Sequence, residues 1–222
     1  MNNLIKFNKK IQDFKYILSF DLAKRVTGYS LVDVVKKKIM LAGIIDTTPA
    51  GEFVWEYFYN EINKILDQSR NVTNFSDILI LKEKMPTQNG RFSTIATLQG
   101  LAQAHAIFDL AITHRGFSIY DYDGVHATVV KTYFKSLLDI EKPQKEDIAK
   151  YIQEQYKDFD LSKYTLDVTD SIAVTLALIG RKWNMDIIEE IKLLKKEQKK
   201  AKTKNKIKKI SNKIEYLESL KI

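Results

Sequence analysis

The chain has 222 residues, with 36 Lys and Arg against 28 Asp and Glu for a net charge of +8, 45% hydrophobic residues and no cysteine. This is the composition of a globular protein with one ordinary core and room for an appendage, and it excludes disulfides and thiolate-bound metals. No uncharged run approaches the roughly 18 apolar residues of a membrane span, and Lys6, Lys9, Lys10, Asp13 and Lys15 interrupt any apolar region near the start. The expectation is a soluble, intracellular protein with no membrane partner.

Residues 1–14 are a polar lead-in. Tyr16-Ile17-Leu18-Ser19-Phe20-Asp21 then reads as a buried strand over about 15–21 that ends on an acid, a residue rarely placed there for packing. Thr27 to Val35 is a second strand, Lys36-Lys37-Lys38 a turn, and Ile39 to Ile45 a third strand. Spacing this close predicts an antiparallel meander. Asp46-Thr47-Thr48-Pro49 has helix-start chemistry, and Phe53, Phe58, Ile62, Ile65 and Leu66 follow at near-helical spacing. Ile78-Leu79-Ile80-Leu81-Lys82-Glu83 is a fourth strand, over 77–83, and its helical crossover predicts parallel pairing with the first.

Residues 84–92 form a polar loop. Ser93 to His114 is a long helix stopped by Gly116, and Phe117-Ser118-Ile119-Tyr120 is a fifth strand. Helices are expected at about 124–138, 144–157 and 167–183, the middle one opened by Pro143. The order predicts an α/β fold, a mixed five-stranded sheet with helices on both faces, over residues 1–185. From 186 the pattern changes. Ile187, Ile191, Leu194 and Ala201, then Ile207, Ile210, Ile214, Leu217 and Leu220, form two series out of phase. They fit two helices turning at Thr203-Lys204-Asn205, or one helix with a stutter. Residues 192–222 hold twelve Lys and three Glu, a net +9 that leaves residues 1–191 at −1. Residues 186–222 are thus a basic helical extension, suited to a polyanion such as nucleic acid or simply to solvation.

Asp21 and Glu83 close parallel strands and so emerge at one edge of the sheet, where α/β folds place their sites. Asp167 and Asp170, three apart at the start of an apolar helix, share a face. Singly, each acid has a plainer explanation: a helix cap, a first-turn residue complementing the dipole, a turn residue, or a salt-bridge partner of Lys82 or Lys84. Four converging carboxylates would repel one another unless cations neutralise them, and oxygen-only ligation points to Mg²⁺ or Mn²⁺. Two such ions about 4 Å apart would clamp the attacking and leaving oxygens of a phosphodiester.

Ile17-Leu18-Ser19-Phe20-Asp21 with Arg25-Val26-Thr27-Gly28-Tyr29-Ser30 resembles the opening of the RuvC-type Holliday junction resolvases, of the RNase H-like superfamily. Leu79 to Glu83 resembles the family's glutamate strand, and Asp167-Val168-Thr169-Asp170-Ser171-Ile172-Ala173-Val174 its closing helix; together the likeness covers about 15–183. The short sequence and Lys-rich ending are most similar to the phage-borne branch, which would place the protein in the cytoplasm of a bacterial host. The resemblance implies an RNase H-like fold and a homodimeric crossover junction endodeoxyribonuclease of DNA recombination and repair. It implies nicking of two opposing strands of a four-way junction with Mg²⁺; beside it stand forks as a further candidate among branched DNA, and the two-ion site, with Mn²⁺ able to substitute, read above from the four carboxylates. It also implies Asp21, Glu83, Asp167 and Asp170 as catalytic metal ligands, and Lys131 and Lys145 as phosphate contacts. The family has Asp-Pro-Gly where this chain has Asp21-Leu22-Ala23, so the turn after the first acid must differ. It also places a junction-wedging aromatic soon after the glutamate, where this chain has Lys84-Met85-Pro86 and reaches an aromatic only at Phe92.

Lys84, Arg91 and Phe92, in the loop past Glu83, are further expected DNA contacts. His105 is expected in the core, Gly28 at a tight backbone position rather than in a phosphate loop, and Tyr120, Tyr122 and Tyr133 in core or rim packing. Three alternatives stand beside this reading: an RNase H-like nuclease acting on another nucleic acid, a non-catalytic DNA binder driven by the tail, and an actin-like ATPase. The last lacks phosphate-binding glycines after Asp21.

Overall fold

In the computed structural model, residues 14–85, 94–120, 124–200 and 203–219 are described. The apolar runs pair as expected. β1 (Tyr16–Asp21), β2 (Val26–Asp33) and β3 (Lys38–Asp46) form an antiparallel meander. The turn from β2 to β3 is set by Asp33, whose Oδ1 accepts from the Val35 and Lys36 amides, while Lys37 takes the left-handed conformation. After α1 (Val54–Val72), β4 (Ile78–Lys82) lies parallel to β1. After α2 (Ile95–Arg115), β5 (Ser118–Ile119) lies parallel to β4, giving the order β3-β2-β1-β4-β5. Gly116 ends α2 at φ +68, accepting the left-handed geometry that a helix stop requires. α3 (Ala127–Leu138), α4 (Lys145–Gln155), α5 (Leu166–Lys200) and α6 (Lys204–Ser219) complete the described elements.

Three boundaries differ from expectation. The Asp46-Thr47-Thr48-Pro49 segment opens a 3-10 turn, Thr48–Phe53, before α1, with Asp46 Oδ1 accepting from the Thr48 amide at 2.8 Å. α4 is opened not by Pro143 but by Gln144, in a reciprocal capping box with Asp147. The helix expected over 167–183 continues to Lys200, because residues 181–200 contain neither Gly nor Pro and are rich in strong helix formers.

Strand alternation sorts the residues of the sheet between its two faces. Leu18 and Phe20 of β1, Leu31 of β2 and Ile78 and Ile80 of β4 pack with Phe58, Ile62 and Leu66 of α1 and Phe108 and Ile112 of α2. On the other face, Val32 and Ile39 pack with Phe134 of α3, Ile148 and Ile152 of α4 and Val168 and Ile172 of α5. α2 is long and apolar enough by composition to cross a bilayer, yet Ala104, Phe108, Ala111 and Ile112 are buried in this core and Asp109 is ion-paired. His105 is buried as expected; burial, then the charge of Lys82, pulls its pKa down to about 4, so it is neutral. Tyr133 packs edge-on against Phe134 with ring centroids 5.1 Å apart, as core packing predicts, and Tyr122 lies outside the described residues.

The chain forms two compact units, Met1–Leu176 and Ala177–Ile222. In the second, Ile191 and Leu194 of α5 meet Ile210 and Ile214 of α6 in a small core of their own. Lys213–Glu190 at 2.8 Å and Gln198–Ser211 at 2.8 Å tie the same two helices. The phase slip is thus a break between two helices, at the bend of Thr203, whose carbonyl accepts from the Ile207 amide.

Candidate active site at the carboxyl edge of the sheet

β1 ends at Asp21, and the neighbouring β4 leads directly into Glu83. The Glu83 amide donates to the Phe20 carbonyl at 3.1 Å, which carries the parallel ladder one step past β4 and brings Glu83 beside Asp21. Alternation then separates two adjacent charges. Lys82 turns to the α2 face, where it is 2% exposed and bonded to Asp109 at 2.5 Å. Glu83 turns to the opposite face, with Asp21. The Lys82 ammonium is therefore paired away from Glu83. On its far side Glu83 bridges to Val125, and Gly124 sits so close that a Cβ would lie 2.8 Å from the Lys82 carbonyl oxygen and 2.9 Å from that of Glu83. Gly124 also holds φ +87, which a residue with a side chain rarely adopts.

The turn after Asp21 does differ from Asp-Pro-Gly. Thr27 clasps it from both sides: its Oγ1 accepts from the Ala23 amide and donates to the Ala23 carbonyl, each at 3.1 Å.

Asp21 is the electrostatic centre of the site. Burial, then a side-chain hydrogen bond with Glu83 and the charges of Glu83 and Asp170, pushes its pKa up to about 8, against a smaller opposing pull from Lys145. Such a bond between two carboxyls requires one shared proton. Lys145, the first residue of α4, ion-pairs with Asp170. Burial lowers its pKa, but the bond and charge of Asp170 and the charges of Asp21 and Asp167 outweigh this and hold it raised. The strand ends place Asp21 and Glu83, and the start of α5 with the Lys145–Asp170 pair places Asp167, Asp170 and Lys145, close enough to influence one another at one edge.

The acids do not all point at one another. Asp167 accepts from Thr165 Oγ1 at 2.9 Å and Asp170 is turned to Lys145, so among the described residues no three His, Asp or Glu side chains already form a cation-holding group. The donor set nevertheless suits a hard divalent cation: all oxygen, partly buried, mutually repelling, and neutralised here by a lysine ammonium and a held proton.

Of the other expected contacts, Lys84 follows Glu83, and its amide donates to the Val125 carbonyl at 2.7 Å. Lys131 is exposed on α3 and pairs with none of the four acids. Arg91 and Phe92 lie outside the described residues.

Gly28 is a tight backbone position, as its sequence context suggested. It is the β2 partner of Asp21, and a Cβ there would lie 2.0 Å from the Asp167 carbonyl oxygen. Sequence reasoning missed Gly124 and the buried hydroxyls of Ser19, Ser30, Ser171 and Thr175. The available signals were the Asp123-Gly124 dipeptide and polar residues inside otherwise apolar runs.

The meander, the parallel β4 and β5 and the helices on both faces define the class, an α/β fold of RNase H-like type. No family model and no curated protein matches the sequence. Solved structures do match. Thermus thermophilus RuvC in complex with a Holliday junction substrate superposes with a TM-score of 0.55 at 13% identity, over 73% of this chain and 90% of that one. Thermus thermophilus RuvC alone gives 0.54 at 13%, over 73% and 92%. The yeast mitochondrial Holliday junction resolvase gives 0.52 at 12%, over 74% and 77%. The likeness is one of fold.

Proposed function

We propose that this chain is a divalent-metal-dependent endonuclease that nicks branched DNA, with four-way junctions as its main substrate, and that it acts as a homodimer. The observation that carries this is the placement of Asp21 and Glu83 side by side at the ends of parallel strands, with Asp170 and its ion-pair partner Lys145 close enough to act on Asp21, at the edge where the fold places chemistry. The junction substrate comes from the structural neighbours, which are junction resolvases. A four-way junction is opened by two opposed cuts, and two copies would supply one site for each.

Asp21, Glu83, Asp167 and Asp170 would hold two Mg²⁺ ions, or Mn²⁺ in their place; when bound, the ions activate water and stabilise the departing 3′-oxygen. The chain's own residues prepare that state. Asp21 holds a proton that must leave before it can ligate. Lys145, paired with Asp170 in the free protein, is placed to transfer its ammonium to the scissile phosphate once a cation takes the carboxylate. Lys84, Lys131, Arg91 and Phe92 complete the proposed DNA contacts.

The test uses labelled four-way junction, fork and linear duplex, each with Mg²⁺ or with chelator. Paired nicks near the branch point, present only with Mg²⁺, are the expected result. Equal nicking of forks and junctions widens the substrate to branched DNA in general. Tight binding with no cleavage in Mg²⁺ or Mn²⁺ removes the enzyme and leaves a DNA-binding protein.

The basic second unit is proposed to add phosphate contacts, because the net positive charge of the chain resides beyond residue 191 while the site edge is acidic. Lys192, Lys196, Lys199 and Lys208 are exposed on its helices. Replacing all four with Gln should flatten the slope of log K against log salt by up to about 3.6, since each phosphate contact contributes about 0.9. An unchanged slope would leave these lysines as solvating residues.

A further inference from the structure

A layer of hydroxyls lies between the sheet and α5, with no exposure at Ser19, Ser30, Ser171 or Thr175. Ser19 and Ser30 are register partners on β1 and β2, 3.0 Å apart at their Oγ atoms. Ser171 Oγ is 2.9 Å from Ser30 Oγ, Ser19 Oγ donates to the Ser171 carbonyl at 2.7 Å, and Thr175 Oγ1 donates to Ser19 Oγ at 2.7 Å. With one hydrogen per hydroxyl the ring closes: Ser171 to Ser30, Ser30 to Ser19, and Ser19 to the Ser171 carbonyl, with Thr175 feeding Ser19. The Val168 carbonyl, 2.8 Å from Ser171 Oγ, is a second acceptor within α5.

The same interface carries the acids. Ser19 precedes Asp21 by two residues and so faces the same side of the sheet. Asp167, Ser171 and Thr175 recur every four residues and so share a face of α5. Two rungs result. On one, Ser19 and Ser30 meet Ser171 and Thr175; on the next, Asp21 and its partner Gly28 meet Asp167. The apolar contacts of Val168 and Ile172 are non-directional and tolerate a small slide of the helix, whereas buried hydroxyls must stay paired and directional.

Resting on the metal-dependent reading above, we infer that Ser19, Ser30, Ser171, Thr175 and Gly28 are positioning residues of the carboxylate site. The hydroxyl ring fixes how far α5 is advanced along the sheet, and Gly28 fixes how close its first turn approaches β2. Together they set the spacing between Asp167 and Asp170 on the helix and Asp21 and Glu83 on the strands.

The test measures Mn²⁺ binding to the full chain without DNA by calorimetry, alongside junction affinity and cleavage. Ser19→Ala and Gly28→Ala should each weaken Mn²⁺ binding by about tenfold or more, the scale of losing a residue that orients a metal ligand. Junction affinity without metal should stay within about twofold, and kcat should fall. Thr175→Val keeps the shape and loses only the hydroxyl, so it folds if any variant does; it should weaken Mn²⁺ binding in the same direction. Ile62→Val, in the core on the other face, should lower Tm and leave Mn²⁺ binding unchanged. Wild-type Mn²⁺ affinity in Thr175→Val and in whichever of Ser19→Ala and Gly28→Ala folds overturns the inference alone. A wild-type chain that binds no Mn²⁺ overturns the metal reading and this inference with it.

Discussion

Glu83→Gln and Asp170→Asn, made singly in the full chain, are each expected to slow junction cleavage by more than a hundredfold while leaving junction binding intact or tighter. Outer-shell partners of metal ligands already cost about 10–100-fold when removed, so a direct ligand must cost more. Each change is close to isosteric and removes one negative charge. Glu83 is anchored through its backbone to Phe20 and Val125, so the amide keeps its place on the strand. Asp170→Asn weakens the ion pair with Lys145, and at the proposed site a freed ammonium beside phosphate favours binding. Single-turnover cleavage and a gel shift on the same junction separate the two effects. A Glu83→Gln chain that cuts at the wild-type rate would remove Glu83 from the site, and one that neither binds nor cuts would point to misfolding.

The second large effect is one of pH. Asp21 titrates near pH 8 in the fold and near its ordinary value of 3.8 when unfolded. Between those values the native state keeps a proton that the unfolded chain has released, so the native state binds more protons and stability falls as pH rises. The metal-free protein should be most stable below about pH 4 with respect to this group, and should lose a few kcal/mol by about pH 8. Asp21→Asn should flatten that dependence, read by denaturant unfolding across the range. On the proposed metal-dependent reading, divalent cations should invert the preference, because ligation needs the proton gone. Mg²⁺ affinity and the cleavage rate at subsaturating Mg²⁺ should therefore climb by up to about tenfold per pH unit and level off near pH 8. A profile that is flat from pH 6 to 9 would contradict the held proton.

Much of this architecture was legible in the chain. The meander and the parallel return of β4 follow from apolar run lengths and from one connection long enough for a helix, and these alone bring Asp21 and Glu83 to one edge. The helix pair Asp167 and Asp170 was legible from its spacing. The partner of Lys82 was not, since strand alternation sends it to Asp109 on α2, 27 residues away, rather than to its neighbour Glu83. The length of α5 was misjudged because a change from apolar to Lys-rich composition resembles a boundary. A helix stops where breakers or caps stop it, and none intervenes before Lys200. The hydroxyl ring was hidden for a different reason. A serine inside a buried strand looks like a tolerated small residue until its partner, 152 positions on, is known.

That last separation also sets when, during synthesis, the proposed site can be completed. A ribosome makes about 5–20 residues each second, so the segment between Ser19 and Ser171 takes roughly 8–30 s to produce. Over that interval the meander and β4 can form, and they display Asp21 and Glu83 without the closing helix. A nascent chain that has not yet reached Asp167 carries Asp21 and Glu83 and lacks the other two acids. On the proposed function, synthesis order would keep such partly made chains from cutting DNA.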